Sequence, residues 1–261
     1  MNTETAVETE CCLLIFDPHQ NHDWVRRVLE KEDGRFTHLV LGGDYFDPYP
    51  GYGVADVREV CADLLDWRER FGERLTVLLG NHDIAYFEAI RRRAEGGPLS
   101  SRRYRCSGHS NVRAAAIAGM LDDAFWEDCR LFQFVNGTLV SHAGVAGRFW
   151  NGDLPLRESL EALDATCREA LNKMTVELSP LLDAGYVRGG RSPVGGITWL
   201  DFNQEFNDAE IGPKQIFGHT ASREGKPRER ARYKGRSCCL DGHQTCYGRL
   251  QRDGRLEIGV A

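Results

Sequence analysis

Short apolar runs alternate with polar turns along this chain, and five of the runs stop at a residue able to hold a metal. Leu13-Leu14-Ile15-Phe16 leads into Asp17-Pro18-His19, Leu39-Val40-Leu41 into Gly42-Gly43-Asp44-Tyr45-Phe46-Asp47, and Leu75-Thr76-Val77-Leu78-Leu79 into Gly80-Asn81-His82-Asp83. Thr138-Leu139-Val140 leads into Ser141-His142-Ala143-Gly144, and Gln215-Ile216-Phe217 into Gly218-His219-Thr220. Runs of this length read as buried strands. Between the early ones, Trp24, Val25, Val28 and Leu29 recur at helical spacing within Asp23–Glu30. Val57, Val60, Cys61, Leu64, Leu65 and Trp67 do so within Val54–Phe71, where Asp56 and Glu59 suit the positive end of a helix. Strand–helix alternation implies right-handed crossovers and a helix-covered sheet, whose ligand sites lie beyond the carboxyl ends of the strands.

From Leu131 the strands crowd together: Leu131–Val135, Thr138–Ser141, Gln215–Gly218, Ser237–Leu240, Thr245–Leu250 and Leu256–Val260. Asn136-Gly137 is a strong tight-turn signal, and Arg252-Asp253-Gly254 marks a second hairpin. Leu156–Leu171 has a helical period and is expected to form a cap, within an insertion of about residues 150–195. The expected fold is therefore α/β (α+β): two packed mixed β-sheets flanked by helices, with a helical cap insertion. A flexible polar N-terminus, residues 1–10, precedes one domain over residues 11–261.

Composition narrows the setting. The 261 residues suffice for one large core, and 41% hydrophobic with 28% charged residues describes a soluble globular chain. Met1 to Glu10 has no apolar signal core, and no apolar stretch approaches the roughly 20 residues that span a bilayer. A cytoplasmic protein that does not engage membranes is expected. The net charge of −6 argues against general nucleic-acid binding. Nine cysteines, including the adjacent pairs Cys11-Cys12 and Cys238-Cys239, form no CxxC zinc pattern and read as reduced and mostly buried. Cys106-Ser107-Gly108-His109 is at most half a metal site, with no second half in the chain.

Gathered at one sheet edge, the five strand-end motifs make an oxygen- and nitrogen-lined site for two cations. Two cations about 3.5–4 Å apart supply a hydroxide of lowered pKa and clamp a phosphoryl group. Such a pair needs one bridging carboxylate. Asp44 fits, since Gly42-Gly43 lets the backbone turn sharply before it. Asp17 and His19 complete one metal, and Asn81, His142 and His219 the other. Mixed N/O donors without thiolate favour Mn²⁺, with Fe or Zn²⁺ as alternatives. His82 follows Asn81 and so points elsewhere, which suits a general acid towards the leaving oxygen. Asp47 is placed to hold its ring.

This set resembles the calcineurin-like metallophosphoesterase superfamily, whose signature is DxH, GDxxD, GNHD/E, a later Gly-flanked His and a final GH. The resemblance runs from Asp17 to about Leu250 and implies the same ligand and acid roles. Cys239-Leu240-Asp241-Gly242 to Leu250 looks like the closing hairpin of bacterial serine/threonine-type phosphatases and symmetrical diadenosine tetraphosphate hydrolases. Gly195-Gly196-Ile197-Thr198-Trp199 looks like their Trp-containing segment. Ala221 stands where diesterases of the superfamily often carry a second His. The implied activity is a phosphomonoesterase working by attack of a metal-bridging hydroxide. The alternatives are a dinucleoside polyphosphate (Ap4A-type) hydrolase and a non-catalytic metal-binding scaffold. The substrate is a phosphorylated small molecule, nucleotide or phosphoprotein.

The chain departs from the pattern after GDxxD, where the phosphatases carry a phosphate-gripping Arg and this chain has Pro48-Tyr49. Arg148, Arg188 and Arg191 are the candidate replacements. Tyr45, Phe46, Tyr49 and Tyr52 read as packing of a rigid loop rather than a base-stacking surface. Arg91-Arg92-Arg93 and Arg102-Arg103-Tyr104-Arg105 read as solvated. The alternating run Arg228, Arg230, Arg232, Lys234, Arg236 has two open readings, a basic face that steers anions and a charged edge that blocks sheet association. His22, His38, His109 and His243 have no motif support and read as structural or surface residues.

Overall fold

The computed structural model describes residues 6–49, 56–101, 103–104, 106–206, 212–229 and 237–260. Strands Cys11–Ile15 (β2), His38–Leu41 (β3) and Leu75–Val77 (β4) run parallel, with Leu13 beside Leu39 and Leu39 beside Leu75. Their side chains alternate between two apolar environments. Leu13, Ile15, Leu39 and Leu41 pack with helices His22–Lys31 (α1) and Val57–Phe71 (α2). Cys12, Leu14, Phe16 and Val40 instead join Val140, Ile216, Cys238 and Leu240 of the second sheet. A period of two with both faces covered is why these runs are apolar throughout. Cys246–Gln251 (β10) pairs antiparallel with β2, and Leu256–Val260 (β11) closes that edge through the hairpin at Gly254.

Among the described residues the second sheet has six strands. Ala6–Val7 (β1), Phe132–Val135 (β5), Thr138–Ser141 (β6), Lys214–Phe217 (β7), Arg228–Glu229 (β8) and Ser237–Cys239 (β9) lie in the order β1-β5-β6-β7-β9-β8. β6, β7 and β9 are mutually parallel. Asn136 and Gly137, both at positive φ, make the two-residue turn between β5 and β6. The two sheets thus pack face to face with helices outside, as the sequence implied.

Helices Asn81–Ala94 (α3), Asn111–Ala118 (α4), Asp123–Asp128 (α5) and Leu156–Lys173 (α6) are the other α-helices among the described residues. Leu160, Leu163 and Cys167 of α6 share one buried cluster with Phe87 of α3 and Trp126 of α5. α3 escapes a periodicity reading because its first half, Asn81 to Ala89, is buried nearly all round and shows no polar stripe. The expected start of the second helix at Val54 lies outside the described residues, which place its N-cap at Asp56. Within the segment 1–10, Ala6–Val7 pair in parallel with Phe134–Val135 and Thr9 N–H donates to Asn136 Oδ1 at 2.9 Å. Asn136, held in its turn conformation, supplies that anchor. Among the described residues, no helix is long and apolar enough to cross a membrane.

Candidate metal centre

Three parallel strands of one sheet and two of the other end at one place. β2, β3 and β4 lead to Asp17 and His19, to Asp44, and to Asn81; β6 and β7 lead to His142 and His219. Asp44 lies at the middle. Its Oδ2 is 3.6 Å from His19 Nε2 and 3.4 Å from His142 Nε2. His142 Nε2 is also 3.2 Å from Asn81 Oδ1 and 3.2 Å from His219 Nδ1. Asp17 Oδ1 is 4.0 Å from His19 Nε2, while its Oδ2 accepts the His219 backbone N–H at 2.9 Å. Two groups of donor atoms, His19–Asp44–His82 and Asp44–His142–His219, each lie within 4.8 Å of one another and share Asp44. All six residues expected as ligands are therefore brought together.

The local backbone is committed to this convergence. Asp17, His19, Asp44 and His219 have φ of 51°, 43°, 64° and 66°, a region costly for side chains other than glycine. Such strain concentrates at functional sites, where the surrounding fold over-determines it. Gly43 at φ 93° has no such cost, and a Cβ on it would sit 2.5 Å from the Gly80 nitrogen. Asp83 ties the loops together, accepting the backbone N–H groups of Asp44 at 2.6 Å, Tyr45 at 3.0 Å and Gly80 at 2.8 Å. The first turn of α3 points its N–H groups at the centre, and His82 N–H donates to Asp44 Oδ1 at 3.0 Å, where a helix's positive end favours an anion. Backbone oxygens fix the imidazoles: Gly42 O is 2.8 Å from His142 Nδ1 and Asp47 O is 2.7 Å from His19 Nδ1. Each ring thereby turns its Nε2 inward.

Burial sets the charges. It pushes the Asp17 carboxyl well above the ordinary carboxylate range, helped by Asp241 and Asp44 and opposed by His142. Burial acts the same way on Asp44, but His142, His82 and His19 outweigh it and hold that carboxyl well below its usual range. His142 is disfavoured as a cation by burial, yet Asp44 lifts it to about 9. Burial lowers His19 to about 4 against the pull of Asp44, and burial, His142 and Arg188 push His219 well down. Asp17 Oδ1 and His219 Nε2 are buried with no hydrogen-bond partner among the described residues. Unpaired buried donors and acceptors are costly for a protein alone. Carboxylate oxygen and neutral imidazole nitrogen are the donor types that divalent transition ions take, so this set fits such a group.

Beside the centre, His82 Nδ1 meets Asp47 Oδ2 at 2.7 Å. Asp47 Oδ1 accepts from Tyr86 OH at 2.6 Å and from Arg113 Nη1 at 3.1 Å. Burial alone would lower His82, but Asp44, Asp47 and Cys106 together raise it well above the ordinary imidazole range. On the other flank the Tyr49 ring packs against His19, tilted by 42° with ring centres 4.0 Å apart, its hydroxyl 3.2 Å from both oxygens of Asp241, and His243 lies 4.7 Å from its ring.

Of the three arginines, Arg188 reaches the site, with Nη2 3.0 Å from Thr220 Oγ1 and 2.9 Å from Asp201 Oδ2. Arg148 donates to Val194 O at 2.7 Å and stacks on Phe149, and exposed Arg191 shares no hydrogen bond or ion pair with another described residue. His22 and His38 are buried and partnered by Asp63 and Thr76. Tyr45 and Phe46 are buried, whereas Tyr52 and Arg230 to Arg236 lie outside the described residues. Sequence reasoning assigned no role to Asp83, Tyr86, Arg113, Asp241 or His243. Signals existed for two of them: Tyr86 stands four residues after His82 on α3, and Asp241 follows a sixth apolar run.

A family comparison decides what this geometry belongs to. Residues 13–223 match the calcineurin-like phosphoesterases. The chain belongs to this family. Membership makes it a phosphoester hydrolase by kind and agrees with the Asp/His groups found at the strand ends. Solved structures share the fold at low identity. A cold-active protein-tyrosine phosphatase from a psychrophilic Shewanella species is 15% identical with a TM-score of 0.58, covering 97% of this chain and 81% of its own. A putative diadenosine tetraphosphatase is 13% identical with a TM-score of 0.54, covering 98% and 97%. A serine/threonine phosphatase from Saccharomyces cerevisiae is 13% identical with a TM-score of 0.53, covering 98% and 83%. No curated protein sequence matches the chain at a significant level.

Proposed function

We propose that this calcineurin-like protein is a phosphomonoesterase that works with two divalent cations. The observation that carries the reading is Asp44, one carboxylate between two sets of inward-facing nitrogen donors, with the His82–Asp47 pair alongside. Asp44 would be shared between the cations, with Asp17 and His19 on one side and Asn81, His142 and His219 on the other. Mn²⁺ is the first choice, with Fe and Zn²⁺ as the others. Bound cations would supply a nucleophile of lowered pKa and neutralise phosphoryl charge.

The remaining work falls to the chain. His82 is grouped with His19 and Asp44 by distance, but we read it as the proton donor because its Nδ1 is held by the Asp47 carboxylate, whereas His19 and His142 are held by backbone carbonyls. A carboxylate on Nδ1 orients the ring and stabilises the imidazolium, which makes it a ready acid. Asp47 fixes that ring, and Arg188 stands on the His219 side as the phosphoryl contact. A cytoplasmic, reducing setting agrees with nine free cysteines.

The test is turnover of an aryl phosphate by the Mn²⁺-loaded protein. Chelation should abolish it and added Mn²⁺ restore it. A metal-loaded protein without any turnover is the inert scaffold instead. The dinucleoside polyphosphate reading gains from the resemblance of the closing hairpin. Product analysis with a dinucleoside tetraphosphate against a phosphopeptide separates it from the first.

A further inference from the structure

The stretch from Cys106 to Arg113 belongs to none of the strand-end motifs, yet it closes over the His82–Asp47 pair at three points. Cys106 Sγ accepts from Asn81 Nδ2 at 2.9 Å and is bonded to the His82 ring. Gly108, at φ 89°, passes so near that a Cβ on it would lie 3.3 Å from Asp47 Cγ. Arg113 Nη1 donates to Asp47 Oδ1 at 3.1 Å and to Gly108 O at 2.8 Å.

Position and exposure together point to a ligand. Asp47 is 1% exposed, but the Arg113 side chain is 28% exposed, so a guanidinium anchored on a buried carboxylate still reaches solvent. A guanidinium carries five N–H donors in a fixed fork, and an anchor on one nitrogen pre-organises the others for an anion. His82 has Nδ1 turned to Asp47, so a leaving group protonated by this ring departs along the wall that Cys106, Gly108 and Arg113 build. Arg188 stands elsewhere, at Thr220 and near His219. The two cations therefore meet different halves of a substrate. Pro48-Tyr49 after Asp47 leaves this flank without a cation from its own loop, and Arg113 brings one from α4. Without it, a second anion here would face the buried carboxylate of Asp47.

Resting on the phosphoesterase reading, we propose that Arg113 recognises a negative charge on the leaving group. The site then selects esters and anhydrides whose departing half is itself anionic, carrying a second phosphate or a carboxylate, over those with a neutral departing half.

Phenyl phosphate and 3-carboxyphenyl phosphate test this, because their phenols ionise at nearly the same pH and differ in charge. The parent should prefer the carboxylated ester in kcat/KM. Arg113→Gln should lower that preference about tenfold or more, the value of one charge-assisted hydrogen bond, and Arg113→Lys should keep most of it. Calorimetric titration with benzylphosphonate and 3-carboxybenzylphosphonate, which are not hydrolysed, should show the same shift in relative affinity. A parent without preference, or a preference unchanged in Arg113→Gln, overturns the inference. If Arg113→Gln turns over neither ester, Arg113→Lys decides: a retained preference supports the inference and a lost one overturns it. A parent that hydrolyses neither ester overturns the phosphoesterase reading itself.

Discussion

Asp47→Asn separates proton donation from the rest of the chemistry. Asp47 Oδ1 receives two donors, Tyr86 OH and Arg113 Nη1, and Oδ2 receives one, His82 Nδ1. An asparagine there keeps its single oxygen where two donors converge, one of them a cation, and turns its NH₂ towards His82. A donor then faces Nδ1, which must give up its proton and accept instead. The cationic ring loses a charge-assisted hydrogen bond worth roughly 1.5–3 kcal/mol, about 10–150-fold in rate where the proton matters. The assay pairs phenyl phosphate, whose leaving group needs a proton, with 2,4-dinitrophenyl phosphate, whose leaving group does not. Turnover of the first should fall by that factor and of the second by less than about threefold, with metal content at the parent's level. Equal losses on the two esters, or loss of metal, refute the assignment of His82 and Asp47.

Asp44→Ala should lose most of its bound metal on gel filtration, whereas His82→Ala should keep metal and lose turnover of phenyl phosphate; elemental analysis beside the rate assay checks both. Arg188→Ala should raise KM for aryl phosphates about five- to tenfold, more than it lowers kcat, through loss of a charge-assisted contact; an unchanged KM removes Arg188 from the substrate's path. Burial and then Arg74 lower His38 to about 4. The folded state thus binds this proton less readily than the unfolded chain, so the contribution is intact above about pH 6.5 and fades as pH falls towards 4. The loss amounts to roughly 2–3 kcal/mol by pH 4.5. Urea midpoints at pH 7 and 4.5 should converge in His38→Gln compared with the parent, and an unchanged acid sensitivity contradicts the shift.

The sequence by itself determined the reaction class and the residue types that gather at the candidate site. Apolar runs with a period of two must be buried strands, and parallel strands must release their next residues at one edge. Asp17, His19, Asp44, Asn81, His142 and His219 were therefore legible as one group before any distance was known. Hairpin turns at Asn136-Gly137 and Gly254 were legible because φ above zero restricts which residues fit. Only the tertiary structure decided the partners of those groups. Asp83 binding three N–H groups, Tyr86 and Arg113 on Asp47, and Tyr49 between His19 and Asp241 are contacts across 3 to 192 residues of sequence. No local periodicity encodes them, since they depend on how a buried helix and two sheets dock. The same holds for the arginines. Arg148, Arg188 and Arg191 are alike as sequence, but packing directs Arg188 to Thr220, ties Arg148 to a backbone carbonyl and leaves Arg191 in solvent. The candidate metal ligands follow from the strand ends, whereas the candidate substrate contacts come from wherever the chain folds back over them.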